Sequence, residues 1–238
     1  MRQAPSTTND CSSLLDRLPL HRHEVKAMGR VWRIDAVRDH SALLGVAGDL
    51  TEFPFGLLLW ESSLALADRL GTETGKLNGA ETLEIGAGAG LAGLAAAAAG
   101  ARVVQTDHSA EAIALCRRNA DLNRIDGVSL AQSDWRDWHD ARRYDLIIGA
   151  DVLYERETHT LVREILSRNL APSGRAILAD PRRLDTPAFL ASLRAEGWHI
   201  GMESLEVPAI VPVRPGQSVT IDLFTIRNPR TPVSPRTA

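Results

Sequence analysis

Four short stretches carry residue types that could act together on a nucleoside-bearing ligand. LEIGAGAGLAGL sets Gly86, Gly88, Gly90 and Gly93 behind Glu84; ARVVQTD ends on Asp107; SDW holds Asp134 and Trp135; and YDLIIGADVLY closes with Asp151 and Tyr154. Glycines at a strand end strip away side chains where such a ligand would meet backbone N–H groups at a helix N-terminus. On their own they equally suit close packing of the Ala-rich segment LAAAAAGA that follows. Asp107 favours binding, because an acid about twenty residues past such a turn is placed to accept hydrogen bonds from ribose hydroxyls. Asp134 and Trp135 add a carboxylate and a ring that could hold an adenine's edge and face.

The glycines read in two registers. From Gly88 they run G-x-G-x-x-G through Gly93, the dinucleotide pattern; from Glu84 they run E-x-G-x-G-x-G, which many S-adenosylmethionine enzymes carry. A negative charge at Glu84 suits a pyrophosphate badly and suits a cofactor with an amino-acid tail and a sulfonium better. Gly93 then becomes the small residue that lets the next helix pack closely on the sheet. An NAD-dependent oxidoreductase would also want a Tyr-x-x-x-Lys pair, and the only lysines, Lys26 and Lys76, precede the glycine turn.

These residues must be delivered by alternating strands and helices. ETLEIG, ARVVQTD, VSLAQ, YDLIIGA and RAILAD read as strands. Leu91 to Ala99, AEAIALCRRNADLN, the stretch around Leu161 to Leu166, and AFLASLRAE read as helices. That rhythm predicts a parallel sheet covered on both faces. APSG reads as a turn, and WHIGMESLEV with SVTIDLFTI as a closing hairpin whose last strand is antiparallel. Ahead of the sheet, RVWRIDA alternates with Trp32, Ile34 and Ala36 on one face and Arg33 and Asp35 on the other. Leu57 to Leu70 predicts an amphipathic helix stopped by Gly71. The expected organisation is an N-terminal extension over 1–52, partly disordered and with strand segment, a main domain over 53–227, and a disordered tail over 228–238.

At 238 residues the chain can bury a single core, and its 44% apolar and 24% charged residues are ordinary for a globular protein. Its two cysteines, Cys11 and Cys116, suggest no disulfide or zinc framework, and Cys116 reads as a buried helix residue. No leader is visible, and LAGLAAAAAGA is too short to span a bilayer, so a cytoplasmic location is expected without membrane attachment. A net charge of -3 gives no strong nucleic-acid signal. Arg117-Arg118, Arg142-Arg143 and Arg182-Arg183 read as solvated faces, and His21, His23 and His40 as surface residues rather than metal ligands.

Taken in order, WESSLALA, LEIGAGAGLAGL, QTDHSAEAI, SDW and GADVLY resemble the class I, seven-β-strand S-adenosylmethionine-dependent methyltransferases, over roughly Phe53 to Ile226. Within that class the chain is similar to methyltransferase family sixteen, a group that includes protein lysine methyltransferases and bacterial relatives of unassigned substrate. The resemblance implies a Rossmann-like α/β fold whose seven-stranded sheet is mostly parallel, with an antiparallel last strand, plus the N-terminal β extension. It implies S-adenosyl-L-methionine as cofactor, S-adenosyl-L-homocysteine as product and no metal. Trp60 would lie beside the cofactor, and Gly86, Ala87 and Gly88 under its methionine part. Asp107 would take the ribose, Trp135 and Asp134 the adenine, and Ala150 would approach by its backbone. Glu84 would act indirectly, by ordering the turn or the ligand's amino group.

Asp151 and Tyr154 follow a buried strand at the carboxyl edge, where parallel-sheet enzymes bind ligands. A helix cap and a packing residue would explain them equally well in isolation. The resemblance implies instead that this D-x-x-Y unit is the catalytic, acceptor-side pair, directed at a nitrogen of a protein side chain such as lysine. Asp-Val-Leu-Tyr departs from the Asn/Asp-Pro-Pro-Tyr/Phe unit of amide and adenine methylation, which disfavours those acceptors. A small-molecule amine acceptor and a non-catalytic binding or scaffold module remain alternatives, and the sequence leaves the oligomeric state open.

Overall fold

The computed structural model describes residues 15–16, 18–44 and 54–229. Expectations that fall on 1–14, 45–53 and 230–238, among them the loose N-terminus, Cys11, Phe53 and the disordered tail, lie outside the described residues. Strands β1 (Leu20–Ala27) and β2 (Arg30–Val37) form an antiparallel hairpin. A short helix α1 (His40–Leu44) follows; a 3-10 turn at Phe55–Leu57 then leads into α2 (Glu61–Gly71). The main unit runs β3 (Glu81–Ile85), α3 (Leu91–Ala98), β4 (Arg102–Asp107), α4 (Ala110–Asn123), β5 (Val128–Gln132) and β6 (Tyr144–Ala150). It continues α5 (Thr158–Asn169), β7 (Leu170–Asp180), α6 (Thr186–Ala195), β8 (His199–Pro208) and β9 (Ser218–Arg227).

The sheet order is β5-β4-β3-β6-β7-β9-β8. Strands β5 through β7 pair in parallel, and β9 inserts antiparallel between β7 and β8. This is the expected class, including the reversed last strand. The central strands look continuously apolar because both faces are covered. Leu146 and Ile148 of β6 join the core with α2 and α3, while Ile147 joins the core with α5 and α6. All three are at most 2% exposed, and each such burial stabilises the fold by about 1.5–3 kcal/mol. Among the described residues no helix is long and apolar enough to cross a membrane.

Three local departures have physical reasons. The helix expected from Leu57 starts at Glu61, because Trp60 is extended (φ -110, ψ 144) and Leu57 belongs to the 3-10 turn; Gly71 is the last helical residue rather than the stop. APSG does not end a turn before β7 but forms a bulge within it. Tyr144 pairs with Leu170 and Leu146 with Arg175, and a Cβ on Gly174 would press on the carbonyls of Tyr144 and Asp145 at 2.9 and 3.0 Å. On β2, Trp32, Ile34 and Ala36 are buried as the alternation requires, yet Asp35 on the other face is also only 3% exposed.

Asp35 is buried because α4 closes over it. Its carboxylate accepts a fork from Arg22 at 2.8 and 3.0 Å and a bond from Arg118 at 2.7 Å, which offsets the desolvation. Asn119 and Asn123, one turn apart on α4, bond the β2 backbone in the manner of a neighbouring strand. Asn119 receives Asp35 N at 2.8 Å and donates to Asp35 O at 2.9 Å; Asn123 receives Arg33 N at 3.0 Å and donates to Arg33 O at 2.7 Å.

Candidate active site

The strand order reverses between β3 and β6, which opens a crevice at their carboxyl ends. After β3 the chain turns through Gly86 and Gly88 at φ +62 and +53, a region open to glycine at little cost. A Cβ on Gly86 would lie 3.1 Å from Val152 and 3.2 Å from the Trp135 ring, so Trp135 and the turn face each other closely. Asp107, 4% exposed at the end of β4, accepts from Gly88 N at 2.9 Å and Ser109 N at 3.0 Å.

The turn's carbonyls point inward onto buried donors. Gly88 O accepts from the Cys116 thiol at 3.3 Å, Ala89 O from Asn119 at 2.9 Å and Gly90 O from Gln105 at 2.8 Å. Glu84 is 2% exposed and accepts from Gly93 N at 3.1 Å and Gln105 Nε2 at 2.6 Å. Burial pushes its carboxyl up to about 8, with the Asp107 charge adding to the effect. A Cβ on Gly93 would collide with this carboxylate and with the Gln105 amide, which accounts for the small residue there.

A cleft of about 580 Å³ opens past the ends of β6 and β7, lined by Trp60, Asp151, Tyr154, Arg183 and Leu184 among others. Trp60 donates its indole N–H to Phe55 O at 3.0 Å and packs edge-on against His40 at 5.5 Å. The 3-10 turn spans both parts of the site. Its Phe55 ring stands 6.3 Å from Tyr154, and Gly56 O lies 2.9 Å from where a Gly88 Cβ would be. Burial raises the Tyr154 phenol, with Glu155 and Asp107 adding to the shift.

The structure thus gathers Gly86, Ala87, Gly88, Asp107, Trp135 and Ala150 at the strand ends and Trp60, Asp151 and Tyr154 around the adjoining cleft. Asp134, by contrast, has a half-exposed carboxylate bonded to Arg136 N at 2.8 Å, and Glu84 is turned into the core. Asp151 does not cap α5, whose N-cap is Glu157. The arginine pairs are not merely solvated faces: Arg118 holds Asp35, Arg142 holds Asp140, Arg182 holds Asp222 and Arg183 holds Asp151. Gln105, Asn119 and the 3-10 turn escaped the sequence reading. Asn119 had one signal, a polar residue on the buried side of α4 with Leu115, Cys116 and Ala120.

The lysine methyltransferase family matches residues 40–195, about two thirds of the chain, from the start of α1 to the end of α6. The chain belongs to that family. It is 34% identical over 107 residues to a histone-arginine methyltransferase of Xenopus laevis, covering 42% of this chain and 46% of that protein. It is 32% identical over 114 residues to a protein N-lysine methyltransferase of Xenopus tropicalis, covering 46% and 53%. The chain spans about half the length of these curated relatives. The magnesium protoporphyrin IX methyltransferase of Synechocystis PCC 6803, solved with bound SAM, shares the fold at TM-score 0.53 and 19% identity, covering 71% of this chain and 79% of that one. In this lysine methyltransferase family member the β1–β2 hairpin and the β8–β9 hairpin both lie outside the matched segment. Among the described residues no group of three or more His, Cys, Asp or Glu could hold a metal ion.

Proposed function

We propose that the protein transfers a methyl group from S-adenosylmethionine to a nitrogen of a protein side chain, lysine foremost. The observation that carries this reading is the 3-10 turn, whose Gly56 lies against Gly88 and Asp107 and whose Phe55 stands by Tyr154, so that it joins the Gly86–Gly88 turn to a cleft lined by Trp60, Asp151 and Tyr154, in a chain of this family. The residues suit the cofactor, since Gly86 lets the Trp135 ring and Val152 close on a turn whose Gly88 N is held by the buried Asp107 carboxylate at the end of β4. Trp60, Gly86, Ala87, Gly88, Asp107, Trp135 and Ala150 would hold it, Asp134 would shape the short turn that carries Trp135, and Glu84 would act through Gly93 and Gln105. When bound, S-adenosylmethionine supplies an electrophilic methyl group on a sulfonium.

Asp151 and Tyr154, both on the cleft wall, would position the acceptor, and positioning of this kind supplies much of the acceleration. The raised Tyr154 phenol stays protonated and able to donate to the acceptor. A neutral amine nitrogen would form its bond to the methyl carbon as the methyl–sulfur bond breaks, with S-adenosylhomocysteine as the leaving group. The test incubates cell lysate with methyl-labelled S-adenosylmethionine and the protein. Label should enter the protein fraction and be lost with Asp151→Ala, whose binding of S-adenosylhomocysteine should persist. Label in the small-molecule fraction would reassign the acceptor, and label in neither would leave a binding module.

A further inference from the structure

The acceptor reading of Asp151 meets an obstacle in the cleft itself. Arg183 grips the carboxylate as a fork, with Nε on Oδ1 at 2.9 Å and Nη2 on Oδ2 at 2.6 Å. Both residues line the cleft, but the Asp151 side chain is only 6% exposed and that of Arg183 37%, so the cleft meets mostly the guanidinium. A carboxylate can take more than one cation, as Asp35 does with Arg22 and Arg118, but Asp151 is 6% exposed and the guanidinium covers the little of it that faces the cleft. Either the guanidinium moves or Asp151 never touches the acceptor.

Three observations favour movement of the Arg183 side chain alone. The backbone is pinned at both ends of the pair: Asp151 N donates to Ala179 O at 2.7 Å, and Arg183 N donates to Asp180 Oδ1 at 2.8 Å. Asp180 is itself buried and receives Thr186 Oγ1 at 2.8 Å, which fixes the loop after β7. The neighbouring Arg182 is held by Asp222 at 3.2 Å and does not stand in for Arg183. The long flexible stem of Arg183 is therefore the freest part of the pair.

The cleft's charge decides what can replace it. Three carboxylates line it, Glu61, Asp151 and Asp185, against the two guanidiniums of Arg182 and Arg183. A neutral ligand that took Arg183's place would leave a buried carboxylate unpaired, and an anion would meet an excess of its own sign. A cation exchanges like for like, and Glu61 and Asp185 on the same cleft wall keep the displaced guanidinium among carboxylates.

We propose that Arg183 is the specificity-determining residue of the acceptor cleft, an internal cation that only the cationic end of a lysine- or arginine-like side chain displaces from Asp151. This rests on the methyltransferase reading above and narrows its acceptor to side chains that arrive charged. The neutral amine forms as the ammonium gives its proton to solvent and the Arg183 guanidinium closes back on Asp151, so the carboxylate is not left unpaired.

The test titrates the full chain at pH 8, with and without S-adenosylhomocysteine, using n-butylammonium, n-butanol and butyrate as probes and NMR shifts as readout. Arg183→Met keeps the stem and removes the charge. It should bind n-butylammonium at least tenfold more tightly than the wild type, with n-butanol and butyrate unchanged. The Asp151→Asn/Arg183→Met double variant should lose that gain. Arg183→Lys, which cannot fork, should show a smaller gain and serves if the Met variant folds poorly. No gain in either single variant, a gain that survives in the double variant, or tighter wild-type binding of butyrate than of n-butylammonium would overturn the proposal. Failure of S-adenosylhomocysteine to bind the wild type would refute the methyltransferase reading instead, while the probe titrations without it still report on Arg183.

Discussion

Glu84 enters the core with its carboxylate on Gly93 N and Gln105 Nε2, and burial raises its pKa to about 8. In the unfolded chain this group titrates near the ordinary glutamate value of about 4.3. Below that value both states hold the proton and Glu84 contributes its full stabilisation. Between it and about 8 only the folded state does, so stability falls as pH rises, by up to about 1.4 kcal/mol per unit. Denaturant melts from pH 5 to 9 should therefore show the wild type losing stability relative to Glu84→Gln, and parallel curves would remove this role. Gly93→Ala should cost about 1–3 kcal/mol by overpacking against Glu84 and Gln105, read as a lowered Tm. The placement of the glycine turn, Asp107, Asp151 and Tyr154 at the strand ends was legible, because apolar runs that stop at glycines or at an acid mark where a buried strand emerges; their roles came from the family resemblance. Arg183 was not, because an arginine in a loop looks the same in sequence whether it meets water or a carboxylate across the sheet.

Among the elements, α4 does two tasks at once. Its Asn119 joins Asp35 of the β1–β2 hairpin to Ala89 of the glycine turn, so the hairpin's docking and the turn's shape share one side chain. Asn123 holds the same hairpin edge without reaching the turn. Asn119→Ala leaves buried backbone groups unpaired at a cost of about 1–3 kcal/mol each. We expect it to weaken S-adenosylhomocysteine binding about tenfold or more in calorimetric titrations at temperatures where the variant stays folded. Asn123→Ala should leave that affinity within about twofold, and equal effects of the two would break the link. The strands and helices of the sheet were readable because apolar runs and 3.6-residue periods follow from burial. The start of α2, the β7 bulge and the strand-like use of Asn119 and Asn123 were not, since each depends on a partner remote in sequence.

In the whole molecule, the hairpin lies ahead of the family segment yet shares its core. Trp32, Ile34 and Ala36 are fully buried in the same cluster as Leu66, Leu70 and Leu94. A chain lacking residues 1–37 would expose that cluster, and we expect it to aggregate or melt without a cooperative transition where the full chain shows one. The molecule's reading as a methyltransferase rests above all on the register of its glycines: Gly86 and Gly88 shape the turn beside Asp107, and Gly93 packs on Glu84. Isothermal titration of the full chain and of Asp107→Ala with S-adenosylhomocysteine and with NAD tests this directly. The account predicts S-adenosylhomocysteine binding by the wild type, at least tenfold weaker in Asp107→Ala, with no comparable NAD affinity. NAD binding as tight as that of S-adenosylhomocysteine, or an Asp107→Ala titration indistinguishable from wild type, would contradict it.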